Sequence, residues 1–481
     1  MRKWIVTFTF IVSGFFVFSC MEQDPVAPES GNLKENISLS KQAASDAKLV
    51  SNGSYILISS TNKLPAGLEQ SVAKINGRLT NSISEIGVAV VESAEPDFIS
   101  KASKIKGVRS VVNDYTVQWL DPDMRREALD EDFGNPPTSG DDDFFFDLQW
   151  GHDAVDAPEA WAAGARGAGV RVAVLDDGID SDHPDIAPNL NTALSASFVP
   201  GEPFEYLNNF PGDPFSHGTH VSGTILAADN GYGTIGIAPE AELVMVKVLS
   251  SFTGSGAFSW VINGIIYAAN IDADVINMSL SGSFPQNLGR EAAELKVAIN
   301  RATTYAYQKG TTVIAAASND ALDRDHDKSL LILPADGPNV IQISSTAPIG
   351  WAVDPTTDLD VFASSYSNYG QSAIDFAAPG GNFVYPGNES CTVAGITRPC
   401  WVFDFVFSTG SSGSWYWSVG TSMAAPHAAG VAALIIGQNG GSMHPAQVES
   451  VMRRSADDLG KPGNDDFYGQ GRVNAYKAVT M

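Results

Sequence analysis

The chain has 481 residues, 44% of them hydrophobic, and carries a formal net charge of −26 at pH 7. That length can bury one large core and a second, smaller one. So large an excess of acid argues against nucleic acid, or an anionic membrane surface, as a partner recognised by charge.

In chain order, Met1-Arg-Lys3 and the apolar run Trp4–Phe18 form the n-region and h-region of a signal peptide, assigned to residues 1–19. The run closes on Val17-Phe-Ser-Cys20, which resembles the lipobox of bacterial lipoproteins, where the cysteine becomes the lipid-modified first residue. A plain secretory signal is the alternative. The expected localisation is export with membrane anchoring through lipid on Cys20, the outer membrane included, and release to the extracellular space after processing. Residues 20–49 are polar and read as a flexible tether. Residues 50–120 read as a small α+β unit. In it Tyr55–Ser59 and Ile86–Val91 are strands, Leu68–Leu79 and Pro96–Ile105 helices, and Val108–Val112 and Thr116–Leu120 further extended segments. Residues 121–147 form an acidic linker with Pro136-Pro137 and the run Asp141-Asp-Asp143. Over residues 148–481, the apolar runs Val170–Leu175, Leu243–Leu249, Val275–Met278, Val313–Ala317 and Val340–Ser344 alternate with Ala-rich helical segments. That alternation predicts an α/β domain with a mostly parallel sheet covered on both faces.

Three segments of this domain carry chemistry. An apolar strand ends at Asp176-Asp-Gly-Ile-Asp180, a small-residue helix opens at His217-Gly-Thr-His-Val-Ser-Gly, and a Gly-led helix opens at Gly420-Thr-Ser-Met-Ala-Ala-Pro-His427. Singly, they read as a turn aspartate, a helix cap and an N-cap serine. Jointly they supply a nucleophile (Ser422), a base (His217) and an orienting carboxylate (Asp176). Zinc on His217 and His220 lacks the intervening Glu and a recognisable third ligand. The order Asp, His, Ser and the three motifs resemble the subtilisin-like serine proteases, the subtilases, with softer matches from Gln149-Trp150 onward. The resemblance implies a three-layer subtilisin-like fold and catalytic groups at the C-terminal ends of the strands. It also implies an oxyanion donor at Asn319, the end of Thr312-Val-Ile-Ala-Ala-Ala-Ser-Asn319, with Ser318 where the family usually has Gly.

The resemblance implies more. Gly254, Ser255 and Gly256, with Ser279, Leu280 and Ser281, would pair with an extended peptide as strands on either side, Ser318 lining the primary pocket. Asp185 and Asn230, with the carbonyls of Ala228, Tyr232 and Thr234, match the ligands of a structural Ca2+ site, while catalysis itself needs no cofactor. The 50–120 unit resembles the family's inhibitor-like propeptide, so the expected partners are protein or peptide substrates, the chain's own propeptide and the membrane at Cys20. Cys391 and Cys400 lie in an aromatic-rich insertion, where they could close a disulfide. The expected function is a self-processing exported serine endopeptidase. A catalytically silent surface scaffold and a transpeptidase are the alternatives.

Overall fold

The computed structural model describes residues 50–129, 141–207 and 215–481. The segments assigned to the signal peptide, Cys20 and the tether lie outside the described residues, as does Pro136-Pro137.

The small unit comprises β1 (Val50–Ser59), α1 (Leu68–Ala73), β2 (Arg78–Ile83), β3 (Val88–Glu92), α2 (Phe98–Ala102) and β4 (Val108–Gln118). β1 pairs antiparallel with both β3 and β4. Side chains alternate between the two faces of a strand. Leu57, Ala89, Val91 and Val111 therefore pack on Leu68 and Val72 of α1 and Phe98 and Ala102 of α2. Ile56, Ile58, Val88 and Val112 face the other way, into the core of the larger domain. Two expectations change here. The helix expected over Leu68–Leu79 stops at Ala73, because Asn76 turns left-handed (φ 58°) and a Cβ on Gly77 would come within 2.6 Å of the Phe98 ring. The two extended segments after Val108 form the single strand β4.

The chain continues through β5 (Arg126–Leu129), α3 (Trp150–Ala154) and α4 (Ala157–Ala162) into the large domain. Its central strands are β6 (Arg171–Asp176), β7 (Ala196–Ser197), β8 (Glu242–Lys247), β10 (Val275–Met278), β12 (Thr312–Ala316), β14 (Val340–Ala347), β15 (Val361–Phe362) and β16 (Phe376–Pro379). They run in the order β15-β14-β12-β10-β6-β8-β7, with β16 also on β14, and only the β14–β15 pair is antiparallel. Helix α5 (His217–Leu226) connects β7 to β8; α6 (Phe258–Asn270) leads to β10 and α7 (Arg290–Lys309) to β12. Val172 and Val174 of β6 point into the core shared with α5 and α8 (Thr421–Gln438). Ala173 and Leu175 point into the core shared with α6 and α7. This is the three-layer α/β fold with a mostly parallel sheet. Strand order reverses at β6, flanked by β8 and β10, and ligands of such sheets bind at that switch point, beyond the strand C-termini.

Three smaller pieces complete the chain's inner surface: β9 (Ser255–Ala257), the hairpin-like pair β11 (Gly282–Pro285) and β13 (Leu330–Leu333), and the aromatic insertion. In the insertion, β17 (Ser390–Val393) and β18 (Ile396–Pro399) form a hairpin joined at Cys391–Cys400 by a disulfide. Phe403, Phe405, Phe407, Trp415 and Trp417 pack as a buried cluster against Leu129, Phe145 and Leu148. Within it β19 (Val406–Thr409) pairs with β20 (Trp415–Ser418), and β20 pairs with β5.

Candidate active site

Asp176 ends β6 and is fully buried. His217 opens α5, whose N-terminus is capped by Ser216 Oγ, accepting from Thr219 N at 3.2 Å. Gly218 lets that helix end approach the sheet, since a Cβ there would fall 2.3 Å from Gly178 O. The result is that His217 Nδ1 lies 2.8 Å from Asp176 Oδ1 and 2.9 Å from Oδ2. Two carboxylate oxygens on one ring nitrogen fix the tautomer with its proton on Nδ1. His217 Nε2 is buried and has no hydrogen-bond partner among the described residues. Burial alone would lower the imidazole pKa, but the charge and hydrogen bond of Asp176, helped by Asp177, hold it above its ordinary value. Asp177 is not redundant: its Oδ1 accepts the Gly218 N–H at 2.8 Å, and burial, then the charge of Asp176, push its carboxyl upward.

Ser422 is the second residue of α8. Its Oγ donates to Ser279 O at 3.0 Å, while Ser279 Oγ donates to Ser422 O at 2.7 Å. The hydroxyl therefore donates to Ser279, just past β10, and not to His217 Nε2. Asn319 follows β12; its Oδ1 accepts from Thr421 N (2.9 Å) and Thr421 Oγ1 (2.8 Å), which fixes the amide plane beside the nucleophile. Ser318 keeps a left-handed backbone (φ 79°) despite its side chain. Its hydroxyl donates to Asp320 Oδ2 at 2.7 Å and accepts from Ser281 Oγ at 3.0 Å.

Residues of the chain itself line this cleft. β4 continues across it: Thr116, Val117 and Gln118 pair antiparallel with Ala257, Gly256 and Ser255. Gly254 O accepts from Trp119 N (3.3 Å) and Leu120 N (3.2 Å), and Ser281 N donates to Trp119 O at 3.2 Å. Leu280, between Ser279 and Ser281, is buried. The Trp119 indole is itself engulfed by Phe258, Phe284 and Gly282, and its Nε1 donates to Gly256 O at 2.9 Å. Next comes Asp121. Burial pushes its carboxyl up, offset in part by hydrogen bonds from the Asp123 N–H and the Asn319 side chain. A cavity of about 220 Å3 remains beside it, lined by Leu120, Pro122, Arg126, Asp177, Phe215 and His217 among others. Sequence reasoning places Trp119 in the extended segment Thr116–Leu120 and expects processing near Trp119-Leu120 or in the acidic linker, but it gives no role to the buried indole or to Asp121. The available signal was a bulky aromatic closing a strand just ahead of an acidic linker.

The loop after α5 gathers over two carboxylates. Asp185 Oδ2 accepts from Thr234 N (2.8 Å), Thr234 Oγ1 (3.1 Å) and Trp415 Nε1 (3.0 Å), while Asp185 O accepts from Ala228 N. Asp185 Oδ1 is buried without a partner among the described residues, and burial pushes the carboxyl up to about 6. Asn230 Nδ2 donates to Pro184 O at 3.4 Å, and the N–H groups of Asn230 and Tyr232 point to Asp143. A Cβ on Gly233 would lie 2.2 Å from Asp185 Oδ2, so the loop closes only with glycine there.

Compared with known proteins, residues 167–471 match the Subtilase family. Subtilisin NAT of Bacillus subtilis subsp. natto is 37% identical over 336 residues, which cover 69% of this chain and 71% of the relative. Among solved structures, the epidermin leader peptide processing serine protease of Staphylococcus aureus superposes with a TM-score of 0.70 at 23% identity, over 90% of this chain and 99% of that one. A lanthipeptide protease superposes with a TM-score of 0.58 at 28% identity, over 73% and 100%.

Proposed function

The chain belongs to the subtilase family of serine proteases, whose substrates are proteins or peptides, and on that premise we propose that it is an exported, self-processing endopeptidase working through Asp176, His217 and Ser422. Ser422 Oγ turns from Ser279 O to His217 Nε2, loses its proton to that nitrogen and attacks the peptide carbonyl. The oxyanion is met by Asn319 Nδ2 and the Ser422 backbone N–H. His217 then gives the proton to the leaving amine, and a water repeats the sequence to free the acid. Asp176 holds the imidazole and stabilises its cation. The observation that carries this reading is the double contact of Asp176 with His217 Nδ1, which leaves Nε2 buried and free.

The same reading makes residues 50–120 an inhibitory propeptide. Their C-terminal strand occupies the place of an extended substrate, and Asp121 engages the amide reserved for the oxyanion. A structural calcium fits the loop after α5, held by Asp185 Oδ1, Asn230 and the carbonyls of Ala228, Tyr232 and Thr234; it would brace that loop and has no part in the chemistry. Cys20 would carry the lipid of a precursor anchored to the membrane. The test is direct. A serine-directed active-site reagent should label Ser422, and Ser422→Ala should abolish casein hydrolysis while the fold, followed by circular dichroism, stays unchanged. Hydrolysis by the variant at near the parent rate would end the assignment and favour another nucleophile.

A further inference from the structure

Strand β15 stands at one end of the central sheet, and this edge carries four aromatic rings that belong to none of the buried cores. The ring of Phe362, on β15, has its centroid 4.8 Å from Phe467 and 6.1 Å from both Tyr369 and Tyr468. Tyr369 and Phe467 are 5.2 Å apart. Phe467 is 41% exposed and the other three are half-buried. The backbone beneath the rings is fixed. Asp465 Oδ1 accepts from the N–H groups of Phe467 and Tyr468, both at 2.8 Å, and Ser344 Oγ donates to Phe467 O at 2.7 Å. Tyr369 is bonded through its N and O to Leu322 O and Arg324 N, in the loop that follows Asn319. Carboxylates surround the rings. Burial, then the charges of Asp323 and Asp466, raise the Tyr369 phenol. Burial raises Tyr468 as well, opposed by a hydrogen bond at the Phe362 backbone and helped by Asp358, Asp360 and Asp465. The nearby cations are engaged at the rim: Arg472 with Asp360 and Asp457, Lys461 at 4.0 Å from Asp466, and His326 at 2.8 Å from Asp323. Elsewhere Trp161, Phe215, Tyr305, Phe383 and Trp417 are each covered by a lysine or arginine of this chain. Among the described residues, no such cation covers Phe362, Tyr369, Phe467 or Tyr468.

We propose that this platform is an exosite for a basic segment of a polypeptide, with an arginine or lysine lying over Phe467 and Tyr369 and its charge met by the carboxylates around them. The face of an aromatic ring is negative and attracts a cation within about 6 Å of its centroid. A guanidinium also stacks flat on a ring while its N–H fork takes a carboxylate, so arginine suits rings set among aspartates best. A second copy of this acidic chain would bring carboxylates against carboxylates, and a purely apolar partner would leave them unpaired. The net charge of −26 favours the approach of a basic segment from a distance. Because Tyr369 is stitched to the loop after Asn319, the platform shares the rigid frame of the cleft. As a hold on protein substrates it rests on the proteolytic reading; the binding itself does not.

The test is fluorescence anisotropy on full-length Ser422→Ala protein, with a labelled Gly-spaced arginine peptide as the probe. Its citrulline counterpart, of the same shape but uncharged, runs beside it. Tyr369→Leu combined with Phe467→Leu removes two ring faces, keeps apolar bulk and changes no charge. We expect this double variant to bind the arginine peptide about fivefold or more weakly than the parent. Asp466→Asn, at an aspartate beside the rings, should weaken binding too, and the citrulline peptide should bind neither protein. Equal affinity of the parent and the double variant for the arginine peptide would mean that charge alone holds it, and would overturn the platform. Citrulline binding equal to arginine binding would overturn it as well. So would sedimentation velocity showing a parent dimer that the double variant loses, since a second copy would then be the occupant. The probe is bound and not cut, so the result stands whether or not the triad reading does.

Discussion

At the scale of single residues, the candidate site separates what a side chain is from where its backbone puts it. Asn319 is held by Thr421 through its oxygen, which frees the nitrogen to donate, so Asn319→Ala should lower kcat and leave KM nearly unchanged. The expected loss is on the order of 10²–10³, the cost of removing one such donor in subtilisin. Steady-state kinetics on a peptide substrate check it, and a change confined to KM would make Asn319 a binding residue. The pH profile follows from His217. A base acts in its neutral form, and the Asp176 carboxylate keeps the folded-state pKa above the ordinary imidazole value. Activity should therefore fall, as pH is lowered, from a point above about 6.5. Asp176→Asn should abolish most activity by permitting the wrong tautomer, and so remove that limb together with the rate. The motifs around Asp176, His217 and Ser422 were legible because small residues and a polar group at a helix or strand end are local signals. Trp119 and Asp121 were not, because what they do depends on β9 and Asn319, more than a hundred residues away along the chain.

At the scale of elements, five of the eight central strands, β6, β8, β10, β12 and β14, were legible to within three residues, since apolar runs buried on both faces leave little freedom of register, whereas β7, β15 and β16 are too short to carry that signal. The first helix was overextended. Residues Leu68–Leu79 carry adequate helical spacing, and it is the left-handed turn at Asn76, with Phe98 packed close against Gly77, that stops the helix early. The aromatic insertion was legible as Trp- and Phe-rich, but the choice between packing as a cluster and flanking the cleft was not, because its partners Phe145, Leu148 and Leu129 lie outside it. Strand β4 yields a prediction at this scale. Just past its end the buried Trp119 adds to the hold on the large domain, and truncating so large an aromatic costs about 3–5 kcal/mol. Trp119→Ala should weaken the grip of residues 50–120 and shorten the lag before activity appears from the precursor. A lag equal to that of the parent would show that the remaining contacts suffice, among them Asp114 with Ser259, Arg109 and Ser110 with Glu294, and the carbonyls of Ser59, Thr61 and Ile86 held by Arg301.

At the scale of the whole molecule, the two units share a sheet: β2-β3-β1-β4 belong to the first and β9 to the second. A lipid on Cys20 would anchor the first unit only, so a cut after it would separate the enzyme from the membrane. Cells expressing the parent should therefore yield a shortened soluble species, and cells expressing Ser422→Ala a full-length membrane-bound one. Full-length parent, active and wholly in the membrane fraction, would refute release without touching the protease assignment. The net charge of −26 is consistent with a soluble product that has little affinity for anionic lipid.

The chain enters the cleft as β4, bonded to β9, and leaves it as β5, bonded to β20. A break anywhere between Gln118 and Arg126 thus creates two ends, each still bolted down on its own side. The upstream end lifts away only when the bonds to β9 open. The newborn amino terminus stays moored by Arg126–Leu129 until those four residues peel from Trp415–Ser418. Under the proposed self-processing, parting the two units would take two openings in series, at β9 and at β20. A molecule cut there and rid of residues 50–118 would still hold its own first strand against Trp415–Ser418.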